Sequence, residues 1–167
     1  MNTVSNTSPI YDIPLTTIDG TDSTLGDYRG KILLIVNLAS RCGFTPQYEG
    51  LENLQQKYGP MGLTICGFPS NDFLFQEPGC DEEIHQFAKT RFNISFPMYS
   101  KISVWGRNIH PLYRWLTSHS EHGGIVKWNF TKFLINRDGD VVDRFHTFID
   151  PEADQLTSAI ELSLIHI

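Results

Sequence analysis

The sequence predicts an α/β fold, with an N-terminal β-hairpin and a central mixed sheet flanked by helices, and three observations carry that expectation. ILLIV (Ile32 to Val36) is an unbroken aliphatic run, the pattern of a strand buried on both faces of a sheet. LTICGF (Leu63 to Phe68) is a second such strand. Between them, Tyr48, Leu51, Leu54 and Tyr58 recur at three- and four-residue steps, which is one face of an amphipathic helix beginning near Pro46.

The remaining elements follow in order. Residues 1–10 are polar and irregular and read as a flexible lead-in, leaving 11–167 as the domain. YDIPLTTIDGTDSTL alternates apolar and polar residues around Asp19-Gly20, a hairpin signal. Tyr58-Gly59-Pro60 stops the first helix. PSNDFLFQEPG (Pro69 to Gly79) is too rich in Pro, Gly and Asn to be regular, and it follows the C-terminal end of a central strand, where open α/β sheets place their sites. CDEEIHQFAKTRF (Cys80 to Phe92) is a helix with acidic residues in its first turn and basic ones in its last, matching the dipole. FPMYSKISV is strand-like, HPLYRWLTSH opens a helix at Pro111, and KFLINRDGDVVDRF holds two strand segments around Asp138-Gly139. PEADQLTSAIELSL closes the chain as a helix with Ala153, Leu156, Ile160 and Leu164 on one side. A βαβ half followed by ββα is the thioredoxin-like arrangement. No repeat, low-complexity tract or linker divides it.

Composition bounds the function. At 167 residues, with 40% hydrophobic and 12% aromatic content, the chain is one globular domain. A net charge of −6 without a basic block sets nucleic acid aside. The longest aliphatic run is five residues, against roughly 20 for a membrane span. MNTVSNTSPIYD has no basic residue and no apolar core, so an intact secretory signal is not expected. The three cysteines, at 42, 66 and 80, form no CxxC pair, which suggests neither a disulfide framework nor a zinc site and fits a reducing compartment such as the cytoplasm. His119 and His122 lie in a Gly-rich loop without a cysteine nearby, and His85 and His110 are surface or packing positions by default, so no metal is expected.

Cys42 carries the chemistry. It stands in the strand-to-helix turn of NLASRCGFT, where free backbone N–H groups and the positive end of the helix dipole favour a thiolate, and Arg41 adds a nearby positive charge. Arg41, Gly43 and Thr45 argue against an inert core cysteine, whereas Cys66, inside a strand, reads as one. A reactive thiolate needs donors for the charge that develops at the reacting atoms, and a thiol for regeneration. Trp128 and Asn129 offer such donors, although by spacing alone a tryptophan is more often a core residue and an asparagine a turn residue.

ASRCGFT with Tyr48 and Leu51, GFPSNDFLFQEPG, and KWNFTKFLI followed by RDG occur in the order found in the glutathione peroxidase family, which the chain resembles from about Leu15 to Leu164. The resemblance implies a thioredoxin-like fold and reduction of hydrogen peroxide or organic and lipid hydroperoxides through a Cys42 sulfenic acid, regenerated by glutathione or thioredoxin, with no bound cofactor. It implies Trp128 and Asn129 as catalytic donors. It also places Asp72 where the family has a catalytic glutamine, since SNDF stands in place of CNQF. Gln76 belongs to the family's QEPG string in its own right and is not expected to substitute. The usual resolving cysteine is absent, Ala88 and Lys89 occupying its region, and Cys80, at the start of that helix, is the possible replacement. The short Ser118–Lys127 segment resembles that of monomeric members.

An ionised Asp72 beside a thiolate would be repulsive, so its side chain is expected to turn outward, leaving Trp128 and Asn129 to act alone. Two readings compete with the peroxidase: a redox relay that passes oxidation from Cys42 to a partner, and a non-enzymatic thioredoxin-fold interaction module.

Overall fold

The computed structural model describes residues 8–118 and 121–165. His119 and most of the expected N-terminal lead-in lie outside the described residues. Two short strands, β1 (Leu15–Thr16) and β2 (Asp22–Ser23), pair antiparallel as the hairpin. The main sheet has the order β4-β3-β5-β6. Strands β3 (Ile32–Leu38) and β4 (Leu63–Pro69) run parallel, joined by helix α1 (Gln47–Tyr58). Strand β5 (Lys132–Ile135) pairs antiparallel with β3 and with β6 (Val141–Phe145), which makes the sheet mixed. Helices α2 (Asp81–Phe92), α3 (Pro111–Ser118) and α4 (Asp154–Ile165) complete the domain.

Strand β3 is apolar throughout because it feeds two cores. Ile32, Leu34 and Val36 face one side with Tyr48, Leu51 and Leu54 of α1, Ile84 of α2, and Leu156 and Ile160 of α4. Leu33 and Ile35 face the other, with Leu112, Tyr113 and Leu116 of α3. Side chains alternate faces along a strand, so a strand with both faces covered reads as a continuous hydrophobic run.

Two expectations are corrected. The domain begins before Tyr11: Pro9–Asp12 forms a 3₁₀ turn with Ile10 and Tyr11 buried. Ser8 Oγ donates to the Gly139 carbonyl at 2.8 Å, docking the turn on the β5–β6 hairpin. Gly139 has φ of 86°, and a Cβ there would sit 2.5 Å from Ser8 Cβ, so the contact requires glycine on both conformational and steric grounds. The second correction concerns FPMYSKISV, which makes only isolated bridges, Gly67 to Met98 and Thr17 to Tyr99. Its hydrogen bonds are divided between two sheets. Tyr99 N–H donates to Gly67 O on the β4 edge, while Ser100 N–H donates to Thr16 O on the hairpin, and Pro97 has no N–H to offer.

Candidate active site

The cysteine turn is built by Thr45. Its hydroxyl donates to the Ala39 carbonyl at 2.9 Å and accepts from the Cys42 N–H at 2.9 Å, folding the chain back between β3 and α1. Hydrogen bonds Thr45 N–H to Cys42 O, Gln47 N–H to Phe44 O and Tyr48 N–H to Thr45 O then lead into the helix. Within this turn the Phe44 N–H donates to Cys42 Sγ at 3.3 Å. Cys42 is 8% exposed, recessed at the surface but not sealed from it.

Trp128 and Asn129 sit on a turn leading into β5 that is anchored by four hydrogen bonds to two residues, Asn37 and Thr147. Asn37, buried in β3, donates from Nδ2 to Trp128 O at 3.1 Å and accepts the Thr131 N–H at 3.0 Å. The Phe130 N–H donates to Asn37 O at 2.7 Å, and Thr147 Oγ1 donates to Asn129 O at 2.7 Å. Phe130 is held with φ of 61°, a left-handed conformation costly for a bulky residue, which persists because these bonds over-determine it. Asn37 interrupts the apolar run of β3. A polar residue at such a place signals a backbone partner to be satisfied, and here it fixes the Trp128–Asn129 turn.

Phe44 and Trp128 line one cleft of about 540 Å³, with Arg144, His146 and Phe148 among its other walls. The Phe44 and Phe148 rings meet edge to face, 5.3 Å between centroids. Half-buried Trp128 also packs against Phe73, ring centroids 5.5 Å apart. The cysteine turn and the tryptophan turn therefore open onto a shared apolar surface.

Asp72 is elsewhere. Its carboxylate accepts the Val104 N–H at 2.6 Å and the Ser103 hydroxyl at 3.0 and 3.2 Å. Among the described residues it makes no hydrogen bond to Cys42, Trp128 or Asn129. The expected turn into open solvent is corrected: the carboxylate is held by the Ser103 hydroxyl and the Val104 backbone N–H. The side chain that does meet Asn129 is Gln76, whose Oε1 accepts from Asn129 Nδ2 at 3.0 Å. Sequence reasoning did not anticipate this contact of Gln76.

Glu77, next in the loop, is 1% exposed. Its Oε1 accepts the Ser40 N–H at 3.1 Å, and its backbone N–H donates to Asn71 Oδ1 at 3.0 Å. Burial pushes its carboxyl up to about 7, opposed by the Ser40 hydrogen bonds. Lys101 Nζ donates to the Glu77 and Gly79 carbonyls at 2.9 and 2.6 Å, closing the loop.

Cys80 is exposed at the N-cap of α2, its N–H donating to Glu83 Oε1 at 2.9 Å, and no disulfide joins it to Cys42. Cys66 is fully buried, and burial pushes its thiol up to about 12, as an inert packing residue requires. His110 accepts the Leu112 N–H at 3.0 Å in the first turn of α3. His122 lies 3.5 Å from the Glu121 carboxylate. No group of three metal-ligating side chains occurs among the described residues. None of their helices is long and apolar enough to cross a membrane.

The parallel β3–α1–β4 unit with the antiparallel β5–β6 pair, in this strand order, is a thioredoxin-like fold. A thiol:disulfide interchange protein of the thioredoxin family from Chlorobium tepidum shares the fold, with a TM-score of 0.64 at 17% identity over 91% of this chain and 92% of that one. The glutathione peroxidase family model matches residues 10–117. The chain belongs to that family and is a peroxidase, reducing hydroperoxides. It is 44% identical over 167 aligned residues to the hydroperoxy fatty acid reductase gpx1 of Synechocystis sp., covering 95% of this chain and 98% of the relative. The crystal structure of T. cruzi GPX1 superposes with a TM-score of 0.74 at 36% identity, covering 94% and 97% of the two chains.

Proposed function

We propose that Cys42 is the peroxidatic nucleophile, with Trp128 and Asn129 as donors to the reacting atoms. The observation that carries this reading is the Phe44 N–H directed at Cys42 Sγ, 3.3 Å away, in a turn that shares its cleft with Trp128. That contact sets a backbone hydrogen-bond donor against the sulfur proposed to react. The thiolate attacks one peroxide oxygen; the S–O bond forms as the O–O bond breaks, and the departing alkoxide takes a proton to leave as alcohol or water. Two thiols then reduce the sulfenic acid to thiol, releasing water and a disulfide.

The reductant is glutathione or thioredoxin; the short 118–127 segment supports a monomer, and three cysteines without a CxxC pair support a reducing compartment such as the cytoplasm. Two routes of regeneration remain distinct: direct attack by the external thiol on Cys42, or prior formation of a Cys42–Cys80 disulfide. The exposure of Cys80 makes it accessible. Bridging nevertheless requires Cα atoms within about 7 Å and a strained or rearranged α2 start if they are not. Direct attack is the expected route. Steady-state peroxide consumption with each reductant side by side tests the function; turnover with neither would favour the relay. Mass spectrometry after one equivalent of peroxide, then glutathione, should find a glutathione adduct on Cys42. A Cys42–Cys80 disulfide would reverse that assignment.

The apolar cleft supports organic hydroperoxides as substrates. The Synechocystis relative is named for hydroperoxy fatty acids. Phe148 is 84% exposed on the rim, so truncation to alanine removes contact surface without emptying a core. Phe148→Ala is expected to raise KM for a long-chain hydroperoxide roughly fivefold, from about 1 kcal/mol of lost apolar contact, and to leave hydrogen peroxide kinetics unchanged. Equal effects on both substrates would place the acyl chain elsewhere.

A further inference from the structure

The loop between β4 and α2 reaches the site by an unusual backbone path. Leu74 and Phe75 both have φ of 53°, a left-handed conformation that bulky side chains rarely adopt, and both side chains are largely exposed. The path drives Gln76 inward. Its backbone carbonyl accepts the Arg41 N–H at 2.9 Å, one residue before Cys42, and its side-chain Oε1 accepts from Asn129 Nδ2 at 3.0 Å. One residue thus ties the cysteine turn to the tryptophan turn. Asn129 is fully buried, and its Oδ1 has no hydrogen-bond partner, so its amide orientation depends on Gln76 alone among the described side chains. Asp72 cannot serve, because Ser103 and Val104 hold its carboxylate.

We propose that Gln76 is a positioning residue of the peroxidatic site: it orients the Asn129 amide through its side chain and holds the Cys42 turn through its backbone. The inference rests on the reading of Cys42 and Asn129 given above. Removing the side-chain carbonyl frees the buried Asn129 amide to rotate, and a misaligned donor no longer meets the developing charge. Because the backbone bond to Arg41 survives substitution, the effect isolates the side chain.

The test is a double-mutant cycle on the rate of oxidation of the reduced protein by one equivalent of peroxide, using Gln76→Leu, Asn129→Ala and the pair, with Gln76→Ala as a second variant should the leucine disturb folding. Gln76→Leu should slow oxidation about tenfold, the loss expected for one well-placed hydrogen bond. The double variant should fall within about twofold of Asn129→Ala alone, because Gln76 acts through that residue. In a nitrogen-15 correlation spectrum the Asn129 side-chain amide signal should move upfield in Gln76→Leu while the backbone signals of β3 and β5 hold their positions. Multiplying losses in the double variant, an unmoved Asn129 signal, or a Gln76→Leu rate within twofold of the parent overturns the proposal while leaving the catalytic reading intact. An undiminished rate in Asn129→Ala overturns both.

Discussion

Cys42→Ser is expected to slow peroxide reduction by more than about a thousandfold, to the rate of the uncatalysed reaction with free thiol. A serine hydroxyl is the same shape, and the bonds of Thr45 to Ala39 O and to the residue-42 N–H do not involve the side chain, so the turn should survive. What is lost is the anion. The hydroxyl has a far higher pKa than a thiol and cannot supply a nucleophile at neutral pH, and oxygen cannot pass through a sulfenic acid. Stopped-flow oxidation with hydrogen peroxide measures the effect; a variant with unchanged unfolding temperature and a rate within tenfold of the parent would remove Cys42 from the reaction.

The second large effect concerns stability, at a residue the sequence marks only as one lysine at the head of a strand. Lys132 is fully buried on β5, and its Nζ donates to the Ile149 carbonyl at 2.6 Å, with the His146 and Thr147 carbonyls at 3.5 Å. Among the described residues no carboxylate pairs with it. Burial pulls the ammonium down to about 7 from 10.5, only partly opposed by Asp150. Between those values the unfolded chain binds the proton and the native one does not, so stability rises with pH across that window. The limit for one group is about 1.4 kcal/mol per pH unit.

Other groups bound the useful range. Glu77, raised to about 7, is protonated in the native state and ionised in the unfolded one between 4.5 and 7, so its contribution falls as pH rises through that interval. Cys66, raised to about 12 from 9.0, begins to cost stability above 9 as the unfolded thiol ionises. The clean interval is therefore pH 7 to 8.5. Chemical denaturation should show the parent gaining about 1–2 kcal/mol across it, and Lys132→Met should abolish that slope. The same slope in both proteins would mean that Lys132 is charged in the native state at pH 8.5.

How far the molecule was legible follows from which contacts are local. Strand β3, helix α1 with its start at Pro46, and the hairpin at Asp138-Gly139 are specified by residues next to one another: an unbroken aliphatic run, a three-and-four spacing, a turn dipeptide. The cysteine turn was legible for the same reason. The turn at Ser8 to Ile10 was not, because it docks on Gly139, on the far side of the chain in sequence. Asp72 and Gln76 stand four residues apart in one irregular loop, and motif alignment placed only the first in the site. Their side-chain partners, Ser103 and Val104 for Asp72 and Asn129 for Gln76, and the left-handed residues 74–75 are contacts that local pattern does not reveal. Lys132 was hidden because alternation along a strand cannot say which carbonyls a long side chain will meet. Asn37 did carry a signal, a polar residue inside an apolar strand, which marks a buried hydrogen-bonding duty without naming its partner.

Cys42 Sγ is the proposed point of entry for oxidising equivalents. Its most direct test is to treat the fully reduced protein with one equivalent of peroxide in the presence of a sulfenic-acid-trapping carbon nucleophile and to locate the adduct by peptide mass spectrometry. One adduct per chain is expected, on the peptide containing Cys42, with Cys66 and Cys80 unmodified. An adduct on Cys80 with Cys42 unmodified would contradict it.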